Sequence, residues 1–318
     1  MQNIQQPHRI TSDTICQTGR CTHHEHMASQ KYPLSKLTHE FGKHVIDKDS
    51  DMEVFDAPTS HSLIQAAGYL KYNLARTTGQ GVFFRGQSKL YKALSPTLLR
   101  GIKDGPQNIK RCKLLKELLG TIEADNLALR SVADECREPL LQHYGVRTTW
   151  LDVVDNIWIA LWFACHSARA IGWPEEYLHF EKRIPDPRCS QEYAYILLLA
   201  SAYSEPVSGQ PGLFRADRSE TIDLRTAVPS HFVRPHAQHG LLVRRLSKTG
   251  LPVCDHLPLL VGTIRVRLEA ALDWLGDATT LTSHSLFPPA FYDYGYRELL
   301  SHVKPTDKVL GSIHRMQA

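Results

Sequence analysis

Ile157-Trp158-Ile159-Ala160-Leu161-Trp162-Phe163-Ala164 is apolar almost all round, and with its flanks it predicts a deeply buried helix over residues 154–168. Such a helix has no face to give to solvent, so the rest of the chain must cover it. Upstream, Val82-Phe83-Phe84-Arg85-Gly86 is a short β-branched and aromatic run bounded by glycines, the pattern of a buried strand. From Ser60, a helix is expected with Leu63, Ile64, Ala67, Leu70 and Leu74 near one face and a Thr-Ser start supplying cap candidates. Residues 108–141 carry Leu and Ile at helical spacing, with Gly120 expected to separate two pieces. Downstream, strands are expected over 193–200, 240–246 and 260–268, short helices over 269–275 and 291–303, and a proline-bearing loop over 172–190. Helices crowd the first half and strands the second, which predicts an α+β fold with a mixed sheet instead of a repeating βαβ wind.

The chain has 318 residues, 42% of them hydrophobic and 22% charged, which is enough apolar material for a sizeable core. Lys+Arg 37 against Asp+Glu 33 leaves only +4, too mild to argue for a nucleic-acid or membrane partner by charge. Arg244, Arg245, Lys248, Arg265 and Arg267 would form a basic cluster if their two strands paired. The longest apolar stretch, 193–202, is about half of what a bilayer span needs. Seven cysteines, none in a Cys-x-x-Cys pair, point to a reducing, cytoplasmic setting, and no apolar run near the start suggests a signal peptide. Cys16, Cys21, His23, His24 and His26 have zinc-ligand chemistry, but their compressed spacing does not match structural zinc sites, so no metal is expected. Residues 1–55 are polar and without periodicity, which predicts a flexible extension, then a domain over 56–305 and a tail over 306–318.

Three segments put reactive side chains beside glycine and apolar anchors. In Phe84-Arg85-Gly86-Gln87 a strand end presents an arginine whose planar fork suits phosphate oxygens, or equally a structural carboxylate. In residues 142–152, Gln142, His143, Tyr144, Thr148 and Asp152 lie just before the buried helix, where anions are favoured and where Asp152 is also a cap candidate. Arg234, His236, Gln238 and His239 precede Gly240 and a strand, as a ligand contact or as a solvated turn.

These segments, in this order, resemble the FRG domain family, whose aromatic-Arg-Gly strand is Phe84-Arg85-Gly86 here. The resemblance extends to Leu94, Pro96 and Arg100, to the loop Gln142-His143-Tyr144-Gly145 with Thr148, Leu151 and Asp152, and to Ala160-Leu161-Trp162-Phe163-Ala164. It continues through Arg234, Gln238 and Gly240 to Leu286-Phe287-Pro288, covering about residues 60–303. Where the family often reads Thr-Arg-Leu-Leu-Asp-Trp-Thr, this chain has Thr149 and Trp150 after Thr148, and Val153 and Val154 after Asp152. The layout is also similar to the arginine, serine/threonine, glutamate arrangement of ADP-ribosyltransferases, which implies a mixed fold with NAD as substrate.

That likeness implies Arg85, His143, Thr148, Asp152 and Gln238 as catalytic residues, and Arg85, Gln87, Gln142, Tyr144 and Arg234 as nucleotide-binding ones. Arg85 would hold a phosphate or ribose oxygen, Thr148 would orient a ribose, Tyr144 would stack on a ring, and Gln238 would stand where a glutamate belongs. Breaking the nicotinamide glycosidic bond builds a cation that a carboxylate stabilises better than an amide, which turns attention to Asp152. The rival expectation is a sensor that binds a nucleotide or a protein without turnover. FRG-type chains occur in bacteria and their viruses, so toxicity or phage defence is the implied context.

Overall fold

The computed structural model describes residues 34, 37, 41–172, 177–188, 192–216, 218–276, 280–302 and 309–316. All of them belong to Lys31–Ala318, the second of two units into which the chain divides. The Cys16 to His26 pattern lies outside the described residues. Among these residues no group of three or more His, Cys, Asp or Glu is placed to hold a metal, and no helix is long and apolar enough to cross a membrane.

The expected α+β class holds. The strands are β1 (Lys43–Ile46), β2 (Glu53–Asp56), β3 (Gln80–Gln87), β4 (Leu151–Val154), β5 (His166–Ile171), β6 (Tyr177–Lys182), β7 (Tyr193–Ala202), β8 (Leu213–Ala216), β9 (Ser219–Asp223), β10 (Gly240–Arg245), β11 (Leu260–Arg267) and β12 (Arg315–Met316). The helices are α1 (Ser60–Thr78), α2 (Pro106–Asp125), α3 (Leu127–Arg130), α4 (Asp134–His143), α5 (Ile157–Cys165), α6 (Leu224–Ala227), α7 (Val233–Ala237), α8 (Leu268–Leu275), α9 (Ser283–Leu286) and α10 (Tyr294–His302). Nine of the described strands form one sheet in the order β1-β2-β11-β7-β3-β4-β10-β9-β8, antiparallel except where β11 meets β2. A smaller sheet runs β12-β6-β5.

Local chemistry explains the main boundaries. Thr59 and Ser62 close a reciprocal capping box at the start of α1, and Gly79 ends it in the left-handed region at φ 67°. Leu63, Ala67, Leu70 and Leu74 are buried as their spacing requires, whereas Ile64 faces out. Gly120 does not divide α2, because glycine in an exposed helical position costs only about 1 kcal/mol. The break falls at Asn126, whose side chain accepts from Leu129 N at 3.1 Å to start α3. The buried helix is shorter than residues 154–168. Asn156, not Asp152, caps it by accepting from Trp158 N at 2.9 Å, and Val154 belongs to β4. At its other end the carbonyls of Trp162 and Ala164 take side-chain donors from His166 and Arg183, and the chain leaves as β5. Its partner β6 occupies part of the expected 172–190 loop.

β7 anchors the sheet centre. Ala194, Ile196, Leu198 and Ala200 face the core under α1, α5 and α8, while Tyr195, Leu197 and Leu199 join Leu151, Val153, Leu241 and Val243 on the other face. A strand buried on both faces reads as a continuous apolar run, which is why this one was legible in sequence. Three expectations are corrected. The extension does not reach residue 55, since β1 and β2 join the sheet and Val54 and Phe55 are buried. The tail is packed too, with β12 paired to β6. The basic cluster does not assemble, because β7, β3 and β4 separate β10 from β11, and Arg244 and Arg265 pair instead with Glu220 and Asp56.

Two consequences are measurable. A Cβ at Gly86 would lie 1.8 Å from the carbonyl oxygen of Ala160, so Gly86→Ala should destabilise the protein by about 3 kcal/mol or more in urea unfolding. His256 is fully buried and accepts from Arg245 N at 3.1 Å, and burial reinforced by nearby arginines holds its pKa down to about 3. An unfolded histidine binds its proton near pH 6.5 and this folded one does not. The linked stability is therefore whole above about pH 6.5 and falls by about 1.4 kcal/mol per pH unit as pH drops through that window towards the folded value. Urea unfolding between about pH 7 and pH 5 should show that slope, and His256→Gln should reduce it by one proton's worth.

Candidate functional site

β3 pairs with β7 at every position from Gln80 to Gln87, but with β4 through a single registered pair, Phe84 with Val154. Past that pair the two strands part, and Arg85 Nη1 bridges the gap by donating to the main-chain oxygen of Asp152 at 2.6 Å. A cleft of about 820 Å³ opens there, within the range of roughly 300–1,000 Å³ that small-ligand sites occupy.

His143, the last residue of α4, is held in the cleft wall by one short segment of chain. Arg234 Nη1 donates to its carbonyl at 2.7 Å, Gln238 Oε1 lies 3.0 Å from its Nδ1, and a Cβ at Gly240 would stand 2.5 Å from its Cε1. Gln238 Nε2 donates to the Leu286 carbonyl at 2.8 Å, which fixes the amide so that its oxygen faces the imidazole. Nδ1 must then carry the proton, because an amide oxygen only accepts. The bare Nε2 is buried without a hydrogen bond and lies 4.0 Å from Asp152 Oδ1. Burial draws the His143 pKa below its ordinary value, opposed by the Asp152 charge and the Gln238 contact.

Of the residues expected in the site, Arg85, Gln142, His143, Asp152 and Gln238 line this cleft together. Four others do not. Thr148 is fully buried, its hydroxyl bonded to Gln142 Oε1 and accepting from Trp150 N at 3.2 Å, so it holds the turn and cannot meet a ribose. Tyr144 is fully buried, with its hydroxyl on Asp293 Oδ2 at 2.8 Å and its ring packed with Tyr296, Phe232 and the Arg234 guanidinium, so it is not open to a ligand. Arg234 is itself fully buried behind His143, in a helix and not in a solvated turn. Gln87 supports Arg85, its amide oxygen accepting from Nε at 3.2 Å and its nitrogen donating to the Lys89 carbonyl at 3.3 Å. The departures from the family pattern at Thr149 and Trp150 also lie away from the cleft, Thr149 bonded to Glu138 and Trp150 beneath Arg244.

Sequence reasoning missed much of the lining. Arg100, Arg111 and Arg147 join Arg85, and Asp152 is the one carboxylate among the described lining residues, so the cleft attracts anions. Arg111 is brought in by Nη1 donating to the Leu98 carbonyl at 2.6 Å. Phe163, Phe180 and Phe287 give an aromatic wall, with Phe180 and Phe287 stacked 4.5 Å apart. Val309 and His314 add a wall from the C-terminal segment, which docks through Arg147 N to Leu310 O and His314 N to Tyr144 O, each 2.7 Å. Arg100 and Phe287 sit in quoted motifs and were within reach of the reading. Phe180 and His314 come from segments read as a loop and a tail, and no local signal marks them.

Residues 80–171 match the family model of the FRG domain. This chain carries an FRG domain. No curated protein and no solved structure matches the chain. The match runs from β3 through β5 and so includes Arg85, His143 and Asp152. The 234–240 segment that clasps the FRG histidine lies beyond the matched residues, although the resemblance was expected to reach about residue 303. Nitrogen-15 NMR of His143 should therefore show a proton on Nδ1 and an unprotonated Nε2 at neutral pH. Gln238→Leu, which removes the acceptor, should convert this to a mixture of tautomers.

Proposed function

We propose that the cleft binds a nucleotide such as NAD, phosphates against the arginines and a ring against the aromatic wall. The observation that carries this reading is that one cleft is lined both by four guanidinium groups and by Phe163, Phe180 and Phe287. An anion bearing an aromatic ring satisfies both, since arginine pairs two phosphate oxygens at once and an aromatic wall covers a base. The layout similar to ADP-ribosyltransferases, and the expected context of toxicity or phage defence, make NAD the first nucleotide to test.

In the catalytic form of this reading, water or an acceptor attacks C1′ of the nicotinamide ribose as the bond to nicotinamide breaks, its electron pair leaving with nicotinamide and the nucleophile's proton passing to solvent. Positive charge builds on the ribose, and Asp152, the half-exposed carboxylate beside Arg85, is the group that opposes it. Gln238 cannot take that role, since both ends of its amide are engaged by His143 and Leu286. That engagement and the burial of Thr148 favour a second reading, a sensor that binds the nucleotide without turnover.

Calorimetric titration of NAD, ATP and ADP-ribose, with an assay for free nicotinamide, tests both. Arg85→Ala should weaken binding roughly 10- to 100-fold, the size of a charge-assisted contact of about 1.5–3 kcal/mol. Nicotinamide release that Asp152→Asn abolishes while binding persists supports the enzyme. Binding without release supports the sensor, and no binding by any of the three nucleotides refutes the nucleotide cleft.

A further inference from the structure

At the aromatic wall, one polar ring lines the cleft beside the phenylalanines. His166 opens β5 directly after α5, and its ring lies flat on Trp162, with centroids 4.0 Å apart and an interplanar angle of 17°. Its Nδ1 is 2.7 Å from the main-chain oxygen of Trp162. A carbonyl oxygen only accepts, so Nδ1 carries the proton. Burial, helped by Lys182 and opposed by the Trp162 carbonyl, pulls the His166 pKa below its ordinary value and keeps the ring neutral near pH 7. The Nδ1 edge is turned to the helix, and Nε2, on the far edge, is a lone-pair acceptor with no hydrogen-bond partner among the described residues. Trp162 in turn packs on Phe163, Phe180 and Phe287, so the orientation of His166 and the aromatic wall are set by one cluster of rings.

We propose that His166 recognises the base of the bound nucleotide, its Nε2 accepting a hydrogen bond from the exocyclic amine of an adenine-type ring laid against Phe163, Phe180 and Phe287. This rests on the nucleotide reading of the cleft and adds the class of base to it. The wall contributes apolar cover to any ring, whereas a fixed acceptor in a partly dry site discriminates, because a base without the amine leaves that acceptor unpaired. The arginines hold the phosphates of either kind of nucleotide and contribute nothing to the choice.

The test compares ADP with purine riboside 5′-diphosphate, which lacks the exocyclic amine, by calorimetry on wild type and on His166→Phe, a variant that keeps an aromatic ring for Trp162 to stack on. Wild type should bind ADP about tenfold tighter than the analogue. His166→Phe should lower ADP to the analogue's affinity and leave the analogue unchanged. Equal affinities in wild type, or a variant that weakens both ligands alike, would overturn the proposal while leaving the nucleotide cleft standing. If wild type binds neither ligand, nor NAD, ATP or ADP-ribose, the cleft reading itself fails and this one with it. The wild-type comparison needs no variant, so a misfolded His166→Phe does not shelter the idea.

Discussion

The clasp on His143 is the interaction from which the rest of the site follows. A histidine at the end of α4 and a glutamine almost a hundred residues later are joined at 3.0 Å, with the amide orientation set in turn by the Leu286 carbonyl. Three remote pieces of chain must therefore arrive together before the imidazole has a defined tautomer. Arg234 adds a hold on the backbone of the same residue and sits over the rings of Tyr144 and Tyr296, so the cradle is also a core element. This gives the spacing of Arg234, Gln238 and Gly240 a physical meaning. The arginine holds the main chain, the glutamine holds the ring nitrogen, and the glycine leaves the ring room to lie against the start of β10.

The cleft itself is a fault line in the sheet. β3 is fully committed to β7 and barely touches β4, so the two sides of the sheet meet at one pair and diverge beyond it. Arg85 spans the opening with a side chain where a ladder bond would otherwise stand. α5 presses so closely on Gly86 that no Cβ fits, which fixes the strand from above and leaves the arginine at the mouth. The cleft combines charge and apolar surface from many parts of the chain, its arginines coming from β3, α2 and the segments after β3 and α4, and its phenylalanines from α5, β6 and the turn after α9.

Much of the fold was legible because burial writes itself into local pattern. α1 showed its face and its cap, β7 its unbroken apolar run, and α5 its lack of any polar side. The misreadings share a cause. β1, β2, β6 and β12 are short or partly exposed strands that owe their form to a neighbour, so their sequences lack a period of their own. The end of α5 was missed for a similar reason, since side chains of His166 and Arg183 take its last carbonyls and only a folded chain shows that competition. In the site, Tyr144 and Thr148 were well placed along the chain but face the interior, because a turn at Gly145 with φ 119° and the docked C-terminal segment put them behind the cleft wall.

By itself the sequence determined the class of fold, the buried helix, the FRG motif and the residue types able to meet an anion, since these depend on local composition and spacing. Only the tertiary structure decided which of those residues face the cleft, which proton His143 carries, and that Asp152 alone supplies a carboxylate among the described lining residues. Side-chain direction, tautomer and charge balance are set by partners far apart in the chain, and no local pattern encodes them.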